Sequence, residues 1–246
     1  MANATKYNPE ALLDRDEFKE LDRLAIEDFR PRGRGYDKNC QMPAENIRAL
    51  HDRNWLGATV SRENGGRGSN LDTDDKASYL QAIRTIARGC PGTAHCFQVH
   101  NHTMWMVEKL ATPRQIDKFL KPTLKEGLLC SGVGSEAKRR HMYTMNTSAK
   151  KVPNGWIVHG EKNYATNAPM MGFAVIFVAI EGVESYLDNH LMVLITPDMK
   201  GVSIDNDWYR PNGMRAAPSP IITLEQVFIP DENVLGTPGI FPRSRF

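Results

Sequence analysis

The chain has 246 residues, enough for one large domain or two of about 120. Lys plus Arg number 31 against 29 acidic residues, a net of +2, which gives no electrostatic footing for a nucleic-acid coat. Hydrophobic content of 41% and charged content of 24% are ordinary for a globular protein, and no low-complexity tract argues for disorder.

The first 125 residues read as mainly helical. Pro9 to Phe29 places Leu12, Phe18, Leu21, Leu24 and Phe29 at helical spacing with charges between them, and Arg30-Pro31 is expected to end that helix. Pro43 opens a second helix carrying Ile47 and Leu50 on one side. The run G57-ATVSRENGGRGS69 breaks periodicity and reads as a loop. From Asp72 to Arg88 a helix is expected, capped by Asp72 or Thr73, with Ala77, Leu80, Ile83 and Ile86 or Ala87 facing inward. T93-AHCFQVHNHTMWMVEKLA111 is long, rich in Met and aromatics and poor in charge, so it reads as a buried helix. Thr112-Pro113 with Gln115 fits a capping box, and Lys121-Pro122 is expected to stop the helix that follows.

After Glu126 the pattern changes to short apolar runs. Asn154-Gly155 sits at the centre of a hairpin, and G172-FAVIFVAI180, H190-LMVLIT196 and S219-PIITLEQVFI229 read as strands. No helix separates them, so an antiparallel β-barrel-like domain is expected over 127–246 behind a helical domain over 1–126, an α+β chain.

Several functional classes lose support on spacing. Cys40, Cys90, Cys96 and Cys130 form no CxxC pair, which suits neither a zinc site nor a disulfide framework and favours a reducing, cytoplasmic setting. His95, His100 and His102 lack HExxH, so they read as core histidines rather than metal ligands. The N-terminal residues lack the apolar run of a secretory leader, and F173-AVIFVAI180 is far short of a membrane span. S131-G-V-G-S-E136 is neither GxGxxG nor GxSxG; its backbone N–H groups could line an anion or simply form a turn. The basic patch Lys138 to Arg140 lies beside it and reads equally as a solvated face or an anion site. G160-E-K-N-Y-A-T-N-A168 puts Tyr164 and Thr166 where a turn needs neither.

Four motifs in one order resemble the acyl-CoA dehydrogenase family. They are S61-RENGGRGS69, Q115-IDKFLKPTLKEG127, G160-EKNYATNA168, and G213-MRAAPS with T223-LEQVFIPDENVLG236. The resemblance implies a helical N-terminal domain, a β middle domain, FAD as cofactor, and an acyl-CoA or similar small substrate. It implies that Tyr164 lies near the flavin ring and Thr166 at its polar edge, with Cys130 and Ser131 lining the same site. Ser135, with Arg139 and Arg140, would meet substrate. The reaction implied is hydride transfer from an acyl-CoA to FAD. C130-S-G-V-G-S-E136 corresponds to the family's Thr-Glu-Pro-Gly-x-Gly-Ser-Asp loop, with Ser131 in place of the Thr and Ser135-Glu136 in place of the Ser-Asp, so that from Ser131 on two residues are missing and the first Glu and the Pro are gone. The family's C-terminal helical domain, which carries the general base, has no counterpart after Gly236, so no catalytic residue is assigned. The expectation is therefore half an enzyme, a fragment, or a subunit of a homo- or hetero-oligomer whose partner chain supplies the helical half, with an apolar face, around Met104, Trp105 and Met106, left for that half. Two alternatives are a flavin-dependent monooxygenase on the same scaffold and a non-catalytic subunit of a flavoprotein complex.

Overall fold

The structure is a computed structural model that describes residues 9–139 and 144–243. Its contacts divide the chain into two units, one of residues 1–98 with 213–217, the other of 99–212 with 218–246.

The first unit is helical. It holds α1 (Pro9–Leu13), α2 (Asp16–Arg23), α3 (Arg30–Asn39), α4 (Ala44–His51) and α5 (Lys76–Gly89), and the first residues of α6 (Pro91–Leu110). Phe18, Leu21, Phe29, Ile47, Leu50 and Ile86 are buried in it, and Phe18 and Trp55 make a T-shaped contact at 5.5 Å between ring centres. Pro31 does not end the first helix. Residues Leu24–Phe29 wind as a wider π turn, and α3 follows directly with the proline in its first turn, where its missing N–H costs least. Lys121-Pro122 repeats the device: Ile116–Leu120 is π-wound and α8 (Lys121–Glu126) continues past the proline. In α5 the helix starts at Lys76, later than expected, because the Asp75 carboxylate is engaged with Ser69 and Ser78 at 2.6 Å each. Its inward face is Tyr79, Ala82 and Ile86, while Leu80 is exposed. The face is rotated from the expected one because Tyr79 supplies the larger apolar ring, packed on Phe97 at 6.0 Å.

The second unit joins the rest of α6, α7 (Pro113–Gln115) and α8 to a seven-stranded sheet and α9 (Ile240–Arg243). The strands are β1 (Leu129–Val133), β2 (Ser148–Val152), β3 (Gly155–Lys162), β4 (Met171–Ile180), β5 (His190–Ile195), β6 (Val202–Asp205) and β7 (Ile221–Pro230). The sheet is mixed, not purely antiparallel. β4 runs parallel to β1 and, at its far end, to β2, and antiparallel to β5, while β2–β3, β3–β7 and β6–β7 are antiparallel. The hairpin β2–β3 lies between β1 and β4 in sequence, so the return to β1's edge is a long connection that allows the parallel pairing without a crossover helix. The hairpin forms, but its turn lies one residue earlier than expected: Val152 pairs with Gly155, so Pro153 and Asn154 are the central residues, and Asn154 takes a φ of 62°.

β4 is the apolar spine. Phe173 to Ile176 are fully buried, and Phe173 packs on Phe119 at 5.7 Å between ring centres. Met104, Trp105 and Met106 are buried as well, so α6 offers no exposed apolar face at those positions. Gln115 completes its capping box with Thr112 and also donates to the Glu232 and Val234 carbonyls at 2.9 and 2.7 Å. Gln115→Ala removes this donor and half of the capping box, and urea unfolding should show a loss of about 1–2 kcal/mol.

Candidate functional site

The 160–168 motif begins on a bulge. β3 pairs regularly with β7 up to Val158, shifts register, and resumes at Gly160, whose φ is +143°. Beyond the bulge Lys162 points inward and is completely buried. Asn163 N–H donates to Ser135 O at 3.0 Å and Ala165 N–H to Pro220 O at 3.0 Å, so the segment is held by backbone from both sides. Between these anchors Tyr164 adopts a left-handed φ of 54° and turns its ring outward, 57% exposed. Trp208 meets that ring in a T-shaped contact, 5.2 Å between ring centres and 76° between planes. Trp208 is itself fixed by Asp205, whose carboxylate accepts from the Asp207 and Trp208 N–H groups at 3.0 and 3.3 Å.

Behind this aromatic corner lies a buried polar stack. Ser131 Oγ donates to Thr166 O at 2.6 Å, and Thr166 Oγ1 and Ser219 Oγ share a hydrogen bond of 2.8 Å. Asn167, in the left-handed region, donates Nδ2 to Cys130 O at 3.1 Å. Cys130 N–H donates to His100 Nδ1 at 2.8 Å, which places that ring's proton on Nε2. Burial pushes the Cys130 thiol well up, so it is a neutral filler rather than a thiolate. The structure thus gathers Ser131, Tyr164 and Thr166 at one end of the sheet, with Ser131 acting on the Thr166 peptide and Cys130 set behind it.

The loop residues go elsewhere. The Glu136 side chain is buried and forms an ion pair with Lys162, Oε1 to Nζ 2.5 Å. The same carboxylate accepts from Asn146 N–H at 2.5 Å and Thr147 N–H at 3.1 Å. Burial works to raise the Glu136 pKa, but Lys162 and these donors hold it below the usual carboxylate range. Lys162 is pushed down to about 8, by burial first, against the upward pull of Glu136 and with a further downward push from Arg139. Ser135 is exposed. Ser135 and Arg139 line a cleft of about 270 Å³ with Phe177, Tyr186, His190 and Phe241. Arg139 donates to Gly134 O at 3.2 Å. Arg140 lies outside the described residues. Among the described residues, no group of three or more His, Cys, Asp or Glu is placed to hold a metal ion, and no helix is long and apolar enough to cross a membrane.

Trp208, Ser219 and the Glu136–Lys162 pair were not expected from the sequence, whereas His100 is the buried, hydrogen-bonded core histidine that was. Lys162 stood inside a recognised motif, but its partner is 26 residues away and nothing local marks it.

A helical unit followed in the chain by a mixed, curled sheet with this polar-backed aromatic end defines the architectural class. The chain belongs to the acyl-CoA dehydrogenase family: the patterns for "Acyl-CoA dehydrogenase, N-terminal domain" and "Acyl-CoA dehydrogenase, middle domain" match residues 15–127 and 130–227. A curated relative, the mitochondrial short-chain specific acyl-CoA dehydrogenase of Rattus norvegicus, is 24% identical over 213 residues, 83% of this chain and 48% of its own. The chain spans about half the length of the curated relatives it matches. The structure of a glutaryl-coenzyme A dehydrogenase glutaryl-CoA complex superposes with a TM-score of 0.84 at 19% identity, over 97% of this chain and 60% of that one. A glutaryl-CoA dehydrogenase from Mycobacterium smegmatis in complex with FADH2 gives 0.79 at 20% identity, over 94% and 59%.

Proposed function

We propose that this chain forms the flavin-binding part of an acyl-CoA-oxidising enzyme, with FAD against the Tyr164–Thr166 wall. The observation that carries the reading is the outward Tyr164 ring, held in a left-handed backbone beside Trp208 and in front of the Ser131–Thr166–Ser219 stack. A large aromatic ring is exposed in a strained conformation only where something else fixes it, and here both flanks do. One residue earlier, Asn163 is 7% exposed and its Oδ1 has no hydrogen-bond partner among the described residues, an acceptor suited to a donor on a flat polar ring. These residues fit a flavin. A bound flavin would supply the hydride acceptor.

The chain's own part is positioning. Tyr164 and Trp208 offer ring faces and edges, Thr166 offers a hydroxyl whose orientation Ser219 fixes, and Ser131 holds the Thr166 peptide. Ser135 and Arg139 border the cleft where the polar part of an acyl-CoA would lie. The base that removes the α-proton is assigned to no residue of this chain. A cytoplasmic, oligomeric flavoprotein, completed by a helical half, follows the same reading.

The shortened 130–136 loop supports one second reading, a flavin monooxygenase on the same scaffold. Acyl-CoA added without oxygen to the flavin-loaded protein, supplied with the helical half that carries the base, separates them: bleaching of the flavin band identifies the dehydrogenase, and no bleaching removes it. Tyr164→Ala should weaken FAD binding about 3- to 10-fold through lost ring contact, read by quenching of flavin fluorescence.

A further inference from the structure

The Lys162–Glu136 pair has no task in the reading above, yet it is the most deeply buried charge pair among the described residues. The two side chains are 0% and 1% exposed. Taking both charges from water costs more than a packed aliphatic pair would, so stability alone is a poor account of its presence. Its connections give a better one. One carboxylate joins three segments: the turn after β1 through Glu136 itself, the entry to β2 through the Asn146 and Thr147 N–H groups, and the end of β3 through Lys162. The residues on either side of that junction form the wall. Ser135 O receives Asn163 N–H, and Tyr164 follows at once in its left-handed conformation.

We propose that Lys162 and Glu136 are positioning residues for the cofactor wall, and that the ionised pair sets the placement of Asn163, Tyr164 and Thr166. This rests on the flavin reading of the same site. Loss of either charge loosens the 134–136 turn from the 163–166 segment, and the outward ring loses its fixed setting. The charged and titratable groups that act on the pair are Arg139, from the loop after β1, and His190, from β5. Burial first, with a smaller effect of Lys162 and Arg139, outweighs the Tyr186 carbonyl bond and depresses the His190 pKa. His190 is therefore neutral across the alkaline range, and Lys162, held near 8, is the member that changes charge there.

The test is FAD titration of the full chain, followed by flavin fluorescence from pH 6.5 to 9.5, for wild type, Lys162→Arg, Glu136→Gln and Glu136→Asp. Circular dichroism confirms that each variant is folded, and Glu136→Gln decides the question where the larger arginine prevents folding. Wild type should lose affinity through an inflection near pH 8. Lys162→Arg should bind without that inflection, since a guanidinium keeps its charge. Glu136→Gln should weaken binding about tenfold at neutral pH and move the inflection lower, because the anion that supports the Lys162 charge is gone. Glu136→Asp should recover most of the affinity. A folded Glu136→Gln that binds FAD as tightly as wild type, with an unchanged pH profile, overturns the positioning role while leaving the flavin reading intact. A wild type that binds no flavin at any pH overturns both.

Discussion

Lys162→Met is expected to lower the unfolding free energy by about 3–5 kcal/mol, because it leaves the Glu136 carboxylate buried without its counter-charge. Methionine fills much of the lysine's volume, so the loss reports electrostatics more than packing. Adding Glu136→Leu should return part of it, since a buried ion pair replaced by apolar side chains is often neutral. The return should be incomplete. The Asn146 and Thr147 N–H groups lose their acceptor in the double variant, and each such loss costs about 1–3 kcal/mol. The pH dependence has a defined sign. Glu136 has a depressed folded pKa, so its contribution is present above its ordinary value of 4.5 and fades as pH falls through the folded one. Lys162 is also depressed, from 10.5 to about 8. Between those values the unfolded chain binds more protons, and global stability rises with pH. Flavin affinity should fall over the same range. Opposite slopes in urea unfolding and in cofactor binding would separate the local role of the pair from its effect on the whole fold.

Gly160→Ala should cost about 2–5 kcal/mol, the second large effect. Its φ of +143° is a conformation that side-chain-bearing residues rarely adopt, and an added Cβ would sit 2.6 Å from the Thr147 Cα. That neighbour is backbone, so neither strand can yield without moving the bulge that turns Lys162 inward. Gly182→Ala is the control. Gly182 has φ of +78° but nothing within 4 Å of the added carbon, so only the conformational cost remains, about 1 kcal/mol. Denaturation of the two variants side by side distinguishes a crowded bulge from a generic positive-φ penalty.

Much of the architecture was legible because short-range signals govern it. The apolar run of β4 and the Asn154-Gly155 turn predicted a buried strand and a hairpin, and both form. Pro31 and Pro122 misled for a local reason: each follows a π-wound turn, and sequence spacing alone does not announce a widened turn. The face of α5 was misjudged because Leu80 and Tyr79 are both acceptable inward residues, and only packing on Phe97 chooses between them. Parallel pairing of β1 with β4 depends on where a chain returns after 38 residues, beyond the reach of any periodicity (from Val133 to Met171). The site follows the same rule. Tyr164 and Thr166 drew attention through their motif, whereas Trp208, Ser219 and Glu136 reach it only through tertiary contacts.

The central claim is that the exposed Tyr164–Trp208 corner, backed by Ser131 and Thr166, is a flavin wall. Calorimetric titration of the full chain with FAD tests it most directly, alongside Tyr164→Ala and Trp208→Ala. The account predicts saturable binding at one flavin per chain, with weaker affinity in both variants and quenching of Trp208 fluorescence on binding. Absence of any heat or spectral change, or binding to which Tyr164 and Trp208 are both indifferent, would contradict it.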